Sequence, residues 1–511
     1  MGRRRGLSVL KPQSGRRSPR LLWNSKLTVN ELVKAGRLLA TIGLKGPKSA
    51  RLLFGLFVVF NPIALPAKPL NVLLIVIDDL RPELGSYEAE GLHTPNIDRL
   101  ASKGIKFNNA FCQYPVCNPS RASFLTGKRP DELGILSNKV ILREKWPEIV
   151  TLPQLFRNNG YFTAGIGKLF HAGMDERGEW TFFRDDTSFD LFYSARGKTP
   201  KIGKQGTGRK LGDGTVGWAH WLAAEGGDEA QMDGLIAAQA VKAIEQHHHD
   251  AFFIGVGFHK PHDPFVAPKE YFELYQLEDV ELAQDPEDRS PLLEYALPDS
   301  YNFPTFTDQD RREFKRAYQA CTSFTDAQIG KVFAAMDRFD LWDDTMVVLM
   351  GDHGYHLGEH GWWNKVTLFD LGARAPFIVW VPQLESMGQA TDSVVEFLDL
   401  YPTLADYCGL VPPQVLSGKS LRPVLEDPAS ELLKPAYSQV TRGPIEMGYS
   451  VRHGDWRFTQ WGRNAEGGTE LYHSSQDKNG YHNLIENPEY SDIRARLARL
   501  LVDGFKALGS D

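Results

Sequence analysis

The chain has 511 residues, of which 42% are hydrophobic and 24% are charged, a composition typical of one large globular domain with a smaller one. Its net charge of −6 is unevenly spread, because residues 1–67 hold 13 Lys and Arg against one acid, and the remainder holds 45 against 63. A main body of net charge −18 argues against a nucleic-acid-binding protein. A polyanionic ligand would need a local basic pocket.

Cysteine is used sparingly. Cys112, Cys117, Cys321 and Cys408 follow no paired spacing, so the sequence indicates neither a disulfide framework nor a CxxC zinc site. A single disulfide remains compatible with this pattern.

The first 67 residues have the features of a targeting segment. Arg51 precedes an apolar run, 52–60, that is too short to span a bilayer but suits the hydrophobic region of a signal peptide, and Ala67 suits cleavage. The run begins unusually far from the first residue, so either the leader is extended or the true start lies downstream. The alternative is a disordered basic tail joined to a buried helix. We predict export to a periplasmic, extracellular or lysosome-like compartment, without stable membrane insertion.

The main body begins with a near-continuous apolar run at 70–77, which predicts a buried strand of a parallel sheet. The segments 94–104 and 151–160 each predict a helix, because each opens on Thr, has Pro in its first turn and closes on Gly. The pattern then predicts strands at 161–168, 251–258, 345–350 and 376–382, and helices at 229–246, 308–338 and 401–409. Strands that alternate with helices indicate an α/β fold with a large, mainly parallel sheet.

The pattern changes after about residue 430. The segments 448–462 and 468–475 predict short antiparallel strands, and 490–508 predicts a closing amphipathic helix. We therefore expect a leader at 1–67, a catalytic domain at 68–428 and a small C-terminal α+β subdomain at 429–511.

Acidic residues follow two of the predicted strands. Asp78 and Asp79 end the first one, and Asp352 and His353 follow the strand 345–350. Ligands of parallel sheets gather at the carboxyl ends of strands, and buried like charges become tolerable when they share a cation. Three carboxylates favour Ca²⁺ or Mg²⁺, whereas the histidine leaves Mn²⁺ or Zn²⁺ open.

The stretch VCNPSRASFLTG predicts a third functional loop. Pro119 suits a first helical turn, so Cys117 would lie at a helix N-terminus, which attracts anions. Arg121 adds a fixed positive fork. This environment also lowers the pKa of a thiol, which leaves a plain cysteine nucleophile open.

The same stretch resembles the type I sulfatase motif Cys-x-Pro-Ser-Arg-x-x-x-Leu-Thr-Gly at every fixed position. The resemblance covers about residues 70–480, and GKLFH, FHKPH and GDHG resemble the iduronate-2-sulfatase branch most. The family implies an alkaline-phosphatase-like sandwich, a large mainly parallel sheet flanked by helices, with a smaller C-terminal subdomain that contains an antiparallel sheet.

The resemblance also implies that a separate formylglycine-generating enzyme converts Cys117 to formylglycine. A serine or cysteine that attacked a sulfate ester would end as a stable covalent sulfate. A hydrated aldehyde carries two hydroxyls on one carbon. One attacks sulfur and expels the sugar alcohol, and the other then loses its proton so that the carbonyl reforms and sulfate leaves.

The family implies roles for further residues of this chain. One Ca²⁺ would be bound by Asp78, Asp79, Asp352, His353 and the oxygen of residue 117. His353 departs from the Asn that is commoner in the family but agrees with the iduronate branch. The residues implied to stabilise the aldehyde, bind sulfate or assist proton transfer are Arg121, Lys168, His171, His259 and Lys365. The Lys-x-x-His spacing of GKLFH departs from the Lys-x-His of many sulfatases.

These features predict a sulfuric ester hydrolase acting on a sulfated mono- or oligosaccharide, such as a 2-O-sulfated uronate of glycosaminoglycan type. The acidic body favours action at a chain end over gripping a long polyanion. Trp362 and Trp363 could stack on a sugar ring or pack in the core. The alternatives are a formylglycine-dependent phosphonate or phosphodiester hydrolase, and an unmatured protein that binds sulfated glycans.

Overall fold

A computed structural model describes residues 69–174, 180–181, 184–195, 205–287, 292–298, 303, 305–430, 432 and 434–509. The predicted leader lies outside these ranges. All four cysteines are unpaired. Within the described ranges, every helix is too short or too polar to cross a bilayer.

The strands, numbered along the chain, form one large sheet and three small ones. Their bounds are β1 Asn71–Ile77, β2 Ile105–Phe111, β3 Phe162–Gly167, β4 Gly173–Met174, β5 Trp180–Thr181, β6 Leu191–Tyr193, β7 Gly206–Lys210, β8 His220–Ala224, β9 Phe252–Phe258, β10 Phe265–Pro268, β11 Thr345–Gly351, β12 Phe377–Trp380, β13 Ala390–Glu396, β14 Ala436–Thr441, β15 Met447–His453, β16 Trp456–Trp461 and β17 Thr469–His473. The large sheet has the order β13-β2-β12-β11-β1-β9-β3-β6. All its pairings are parallel except those of β12, which runs antiparallel to β11 and to β2.

Side chains of β1 alternate between two hydrophobic cores. Leu73, Ile75 and Ile77 face one core, and Val72 and Leu74 face the other. Both faces of the sheet are therefore covered, which explains why the strand is apolar at nearly every position.

The α-helices are also numbered along the chain: α1 Pro95–Lys103, α2 Cys117–Thr126, α3 Pro130–Leu133, α4 Leu142–Lys145, α5 Leu152–Asn158, α6 Met232–His247, α7 Lys269–Phe272, α8 Asp308–Arg338, α9 Asp370–Ala373, α10 Leu400–Tyr407, α11 Arg422–Glu426, α12 Ser491–Gly504 and α13 Lys506–Gly509. Side chains of α1, α6 and α8 contribute to one core, and those of α2, α5 and α10 to the other. The layers are thus helix, sheet and helix.

Local sequence accounts for several helix starts. The hydroxyl of Thr151 accepts a hydrogen bond from the backbone N–H of Gln154, and Thr307 does the same for Asp310. These contacts satisfy backbone donors that the first helical turn leaves unpaired. Both helices predicted from Thr-Pro and Gly spacing form, at Pro95–Lys103 and Leu152–Asn158, although the side chain of Thr94 makes no capping bond.

The C-terminal part of the chain adds the antiparallel sheet β14-β15-β16-β17. Leu497 and Leu501 of α12 pack against Val451, Phe458 and Leu471 of this sheet. Antiparallel strands with a closing amphipathic helix are the architecture that the sequence predicts for this region.

Candidate active site

Four neighbouring parallel strands, β11, β1, β9 and β3, end side by side at the candidate site. Ile77 pairs with Gly351 and with Phe258, and Gly167 pairs with Gly257. The residues that directly follow these ends are Asp352 and His353 after β11, Asp78 and Asp79 after β1, His259 after β9, and Lys168 after β3. The fold thus delivers charged side chains to one edge of the sheet.

Helix α2 brings Cys117 and Arg121 to the same edge. Cys117 is the first helical residue, and the helix ends at Thr126, directly before Gly127, whose φ of +67° is left-handed. An added Cβ there would lie 2.7 Å from Leu416, so both the backbone angle and the close approach favour glycine.

Arg121 is completely buried and bonds one carboxylate at each of two strand ends. Its Nε donates to Asp352 at 2.9 Å, and its Nη2 donates to Asp78 at 3.1 Å. Its Nη1 donates to the carbonyl oxygens of Lys168 and Leu169. One planar fork therefore fixes the ends of three strands relative to α2.

The Cys117 thiol lies between basic side chains and acids. Its Sγ is 3.2 Å from Lys365 Nζ and 3.5 Å from His353 Nε2. The Nδ1–H of His353 donates to the carbonyl of Gly354 at 2.9 Å, which leaves Nε2 towards the sulfur, with Asp79 Oδ1 at 3.4 Å.

The cluster is layered by charge. The carboxylates of Asp78 and Asp79 are at most 1% exposed, whereas the side chains of Lys168 and Lys365 are 11% exposed and that of His262 is 27% exposed. Lys168 bonds Asp78, and Lys365 bonds Asp79. An anion that approaches from solvent therefore meets positive groups first.

Neighbouring charges shift the pKa values of the site. Burial and Asp78 oppose ionisation of the Cys117 thiol, but Lys168 and Lys365 hold its pKa well below the usual value. Burial opposes the charge of His262, yet Asp79 raises its pKa well above the usual range. The site is thus polarised into fixed positive and negative groups.

Strand-end Asp352 titrates differently from Asp78. Burial raises the pKa of Asp352 to about 7, although His353 and Arg121 oppose the rise. Burial also disfavours the charge of Asp78, but Lys168 and His262 hold its pKa well below normal.

Two groups of side chains in the described part of the chain bring metal-ligating atoms within 4.8 Å of one another. One consists of Asp78, Asp79, Cys117 and His262, and the other of Cys117, Asp352 and His353. Three of these six residues are carboxylates, which suit a hard divalent cation, and the others offer sulfur or imidazole nitrogen.

His262 is the site residue that sequence reasoning missed. Its Nε2 lies 4.0 Å from both Asp78 and Asp79. The motif FHKPH contains two histidines, and the family resemblance implied a role for His259. No pattern in the sequence showed that the second histidine folds back over the acids.

His171 and His259, the two histidines predicted to assist the reaction, are half-buried and lie close to Lys168. Burial and Lys168 lower the pKa of His171 to about 4 and that of His259 to about 3. Both rings are therefore neutral at pH 7. The backbone N–H groups of His259 and Lys260 donate to Asp233 of α6 at 2.9 and 2.7 Å, which anchors the loop that carries His262.

Of the two alternatives for Trp362 and Trp363, stacking on a sugar or packing in the core, the structure supports packing in the core. They are 3% and 2% exposed. Trp362 packs on Phe303 and Trp363 on Phe314, with ring centroids 5.4 and 5.0 Å apart. Both rings support the loop that ends at Lys365 from the core side.

Comparisons with known proteins identify the family of the chain. A family model described as Sulfatase matches residues 70–410, and one described as N-sulphoglucosamine sulphohydrolase, C-terminal, matches residues 358–506. Iduronate 2-sulfatase of Homo sapiens is 33% identical, and the alignment covers 83% of this chain and 92% of that protein.

Solved structures share the architecture. The phosphonate monoester hydrolase of Agrobacterium radiobacter has a TM-score of 0.70 at 22% identity and covers 86% of this chain and 95% of its own. A 2-O GAG sulfatase has a TM-score of 0.66 at 22% identity, covering 87% and 94%. At these identities the likeness concerns the fold, and it confirms the predicted alkaline-phosphatase-like α/β class.

Proposed function

Because the chain belongs to the sulfatase family and is an enzyme of that class, we propose that it removes sulfate from a sulfated saccharide of the kind that iduronate 2-sulfatase acts on. The observation that carries the proposal is the layering at Cys117: a buried nucleophile position lies between carboxylates below and positive groups above. A sulfate ester needs this arrangement, because its oxygens gain negative charge as the S–O bond to the sugar breaks.

The solvent-side positive groups would bind the sulfate. Lys168, Lys365 and His262 all face the thiol or the acids beneath it, and His262 would hold its charge at neutral pH. His171 and His259, which are neutral, would serve as proton acceptors or donors. Arg121 would keep the nucleophile helix and the carboxylates in place.

Residue 117 would act as formylglycine, formed from Cys117 by a formylglycine-generating enzyme. The hydrated aldehyde supplies a nucleophilic hydroxyl and a second hydroxyl whose deprotonation releases sulfate. Lys365 and His353, at 3.2 and 3.5 Å from the present sulfur, would orient these hydroxyls and stabilise the ionised one.

A Ca²⁺ ion would be held by Asp78, Asp79, Asp352 and His353 together with residue 117. Its positive charge would stabilise the negative charge of the attacking oxygen and of the sulfate. The carboxylates that it would use now bond Lys168 and Lys365, so cation binding would leave the two ammonium groups to the substrate.

We also propose that the protein is exported, since the basic segment 1–67 has the composition of a leader. The substrate would be engaged at a chain end, because a body with 45 basic and 63 acidic residues repels a long polyanion outside the basic pocket.

Maturation can be tested directly at Cys117. Protein produced with a formylglycine-generating enzyme should react with a hydrazide probe, and the mass of the peptide around residue 117 should show the aldehyde. Cys117→Ala should abolish both labelling and sulfate release. Cys408→Ala, at a cysteine remote from the site, is the control and should keep both. Full activity in Cys117→Ala would contradict the mechanism.

The cation can be tested by removal and return. Chelation should abolish aryl sulfate turnover, and Ca²⁺ should restore it better than Mg²⁺ or Mn²⁺. Asp79→Asn should weaken Ca²⁺ binding measured by calorimetry, since one carboxylate charge is lost from a hard-cation site. The exposed Asp250→Asn should bind as the native chain does. Normal turnover by metal-free protein would refute the assignment.

His262 can be separated from surface histidines by substitution. His262→Ala should lower kcat/KM for an aryl sulfate by at least ~100-fold, because a fixed positive donor to the sulfate is lost. His249→Ala, at an exposed position, should leave kcat/KM unchanged. An equal effect of the two substitutions would show that His262 does not serve the reaction.

The mode of action can be followed from the products. Short 2-O-sulfated oligosaccharides should lose sulfate rapidly from one end, whereas an intact sulfated polysaccharide should lose it slowly. Rapid release along the whole polymer would refute action at chain ends and leave the sulfatase assignment intact. Faster turnover of a phosphonate monoester than of any sulfate ester would instead favour the phosphonate hydrolase alternative.

A further inference from the structure

A second cluster of charges, distinct from the candidate active site, contains three arginines around one acid. Asp370 accepts from Arg452 Nε at 3.3 Å and from Arg457 Nε at 2.5 Å, and Arg374 also interacts with its charge. Arg452 and Arg457 are each 2% exposed. Among the described residues, Asp370 is the one acid in ion-pair contact with these guanidiniums.

One carboxylate does not neutralise three guanidiniums. Burial and Arg452 lower the pKa of Arg374, although Asp370 opposes the shift, and the same causes act on Arg457. The Nη1 of Arg452 is buried and has no hydrogen-bond partner. A buried guanidinium nitrogen without an acceptor is unfavourable, and the described ion pairs offer a single carboxylate to Arg452 and Arg457.

An open cavity adjoins this cluster. Its volume is about 740 Å³, and Arg374 and Arg452 form part of its wall together with Lys106. The ammonium of Lys106 donates to the carbonyl of Ser86 and lies 5.1 Å from the centre of the Tyr87 ring. None of the residues in the wall belongs to the candidate active site, and the volume is typical of small-molecule sites.

We propose that this cavity is a second anion site, which takes one oxyanion group, a sulfate, carboxylate or phosphate, between Arg374, Arg452 and Lys106. Guanidinium forks bind such groups in bidentate fashion. Glu88, Asp392 and Asp455 also line the cavity and are exposed, so a long polyanion is repelled and a single charged group is favoured. The group reaches the site either as a free inorganic ion or as part of an acidic sugar, for which the volume leaves room.

Calorimetry with inorganic sulfate tests the site, with chloride at equal ionic strength as the reference. Four proteins are compared: the native chain, Lys365→Gln to remove anion binding at the candidate active site, Arg374→Gln, and the double variant. The native chain should bind two equivalents and each single variant one. The double variant should bind at least tenfold more weakly than either. Unchanged binding in Arg374→Gln would overturn the proposal.

The source of the oxyanion is resolved with glucuronic acid and glucose titrated into Lys365→Gln. Binding of sulfate and glucuronic acid alike indicates a general oxyanion site, and binding of glucuronic acid alone indicates an acidic sugar. Whichever of these anions binds to Lys365→Gln must no longer bind to the double variant. Glucose must not bind. Binding of glucose, or of neither anion, would overturn the proposal.

Thermal unfolding separates the site from a merely structural cluster. In sulfate-free buffer Arg374→Gln should melt at or above the native temperature, because it removes one unbalanced charge. Added sulfate should raise the melting temperature of Lys365→Gln more than that of the double variant. Arg99→Gln, at a surface ion pair, should respond to sulfate as the native chain does. A large fall in melting temperature without any loss of the sulfate response would contradict the proposal. The readouts do not require turnover, so they hold whether or not the chain cleaves sulfate esters.

Discussion

The buried guanidinium of Arg121 is the contact on which the candidate site depends. Asp78 and Asp352 follow adjacent parallel strands whose last residues are in register, so their carboxylates are forced together in a buried place. Two such charges without a counter-charge would be strongly unfavourable. Arg121 bonds both carboxylates from one planar group, and no flexible ammonium could do so with the same fixed geometry.

That contact also places the nucleophile. Arg121 lies one helical turn after Cys117 in α2, so docking the guanidinium on the acids sets the first turn of the helix beside them. Ser120 adds a hydrogen bond to the carbonyl of Asp352. The residues between the cysteine and the arginine therefore serve as a rigid spacer, which explains why a short continuous motif can encode both parts of the site.

The sequence predicts the strand-end acids well, because burial on both faces and the right-handed order of α/β units leave few places for them. It does not predict the direction of β12. A short apolar run reads alike in either direction, and only its pairing with β2 and β11 makes it antiparallel.

The sequence also leaves the conformation of the site loops open. The spacing of FHKPH could not tell which histidine folds over the acids, because that depends on Asp233 anchoring the start of the loop from a distant helix. The burial of Trp362 and Trp363 likewise depends on phenylalanines from other segments. Contacts between residues far apart in sequence carry no local pattern, so a single sequence leaves them open.

The balance of charge distinguishes the two ionic clusters of the molecule. In the candidate active site, the carboxylates of Asp78, Asp79 and Asp352 are met by three permanently basic side chains, those of Arg121, Lys168 and Lys365. Acidic and basic side chains therefore largely offset one another there, and the charge of a bound divalent cation would be matched in part by that of the anionic sulfate ester. The arginines around Asp370 have no such balance. We therefore expect the arginine cluster to bind an anion without a cation, because its side chains carry more positive than negative charge.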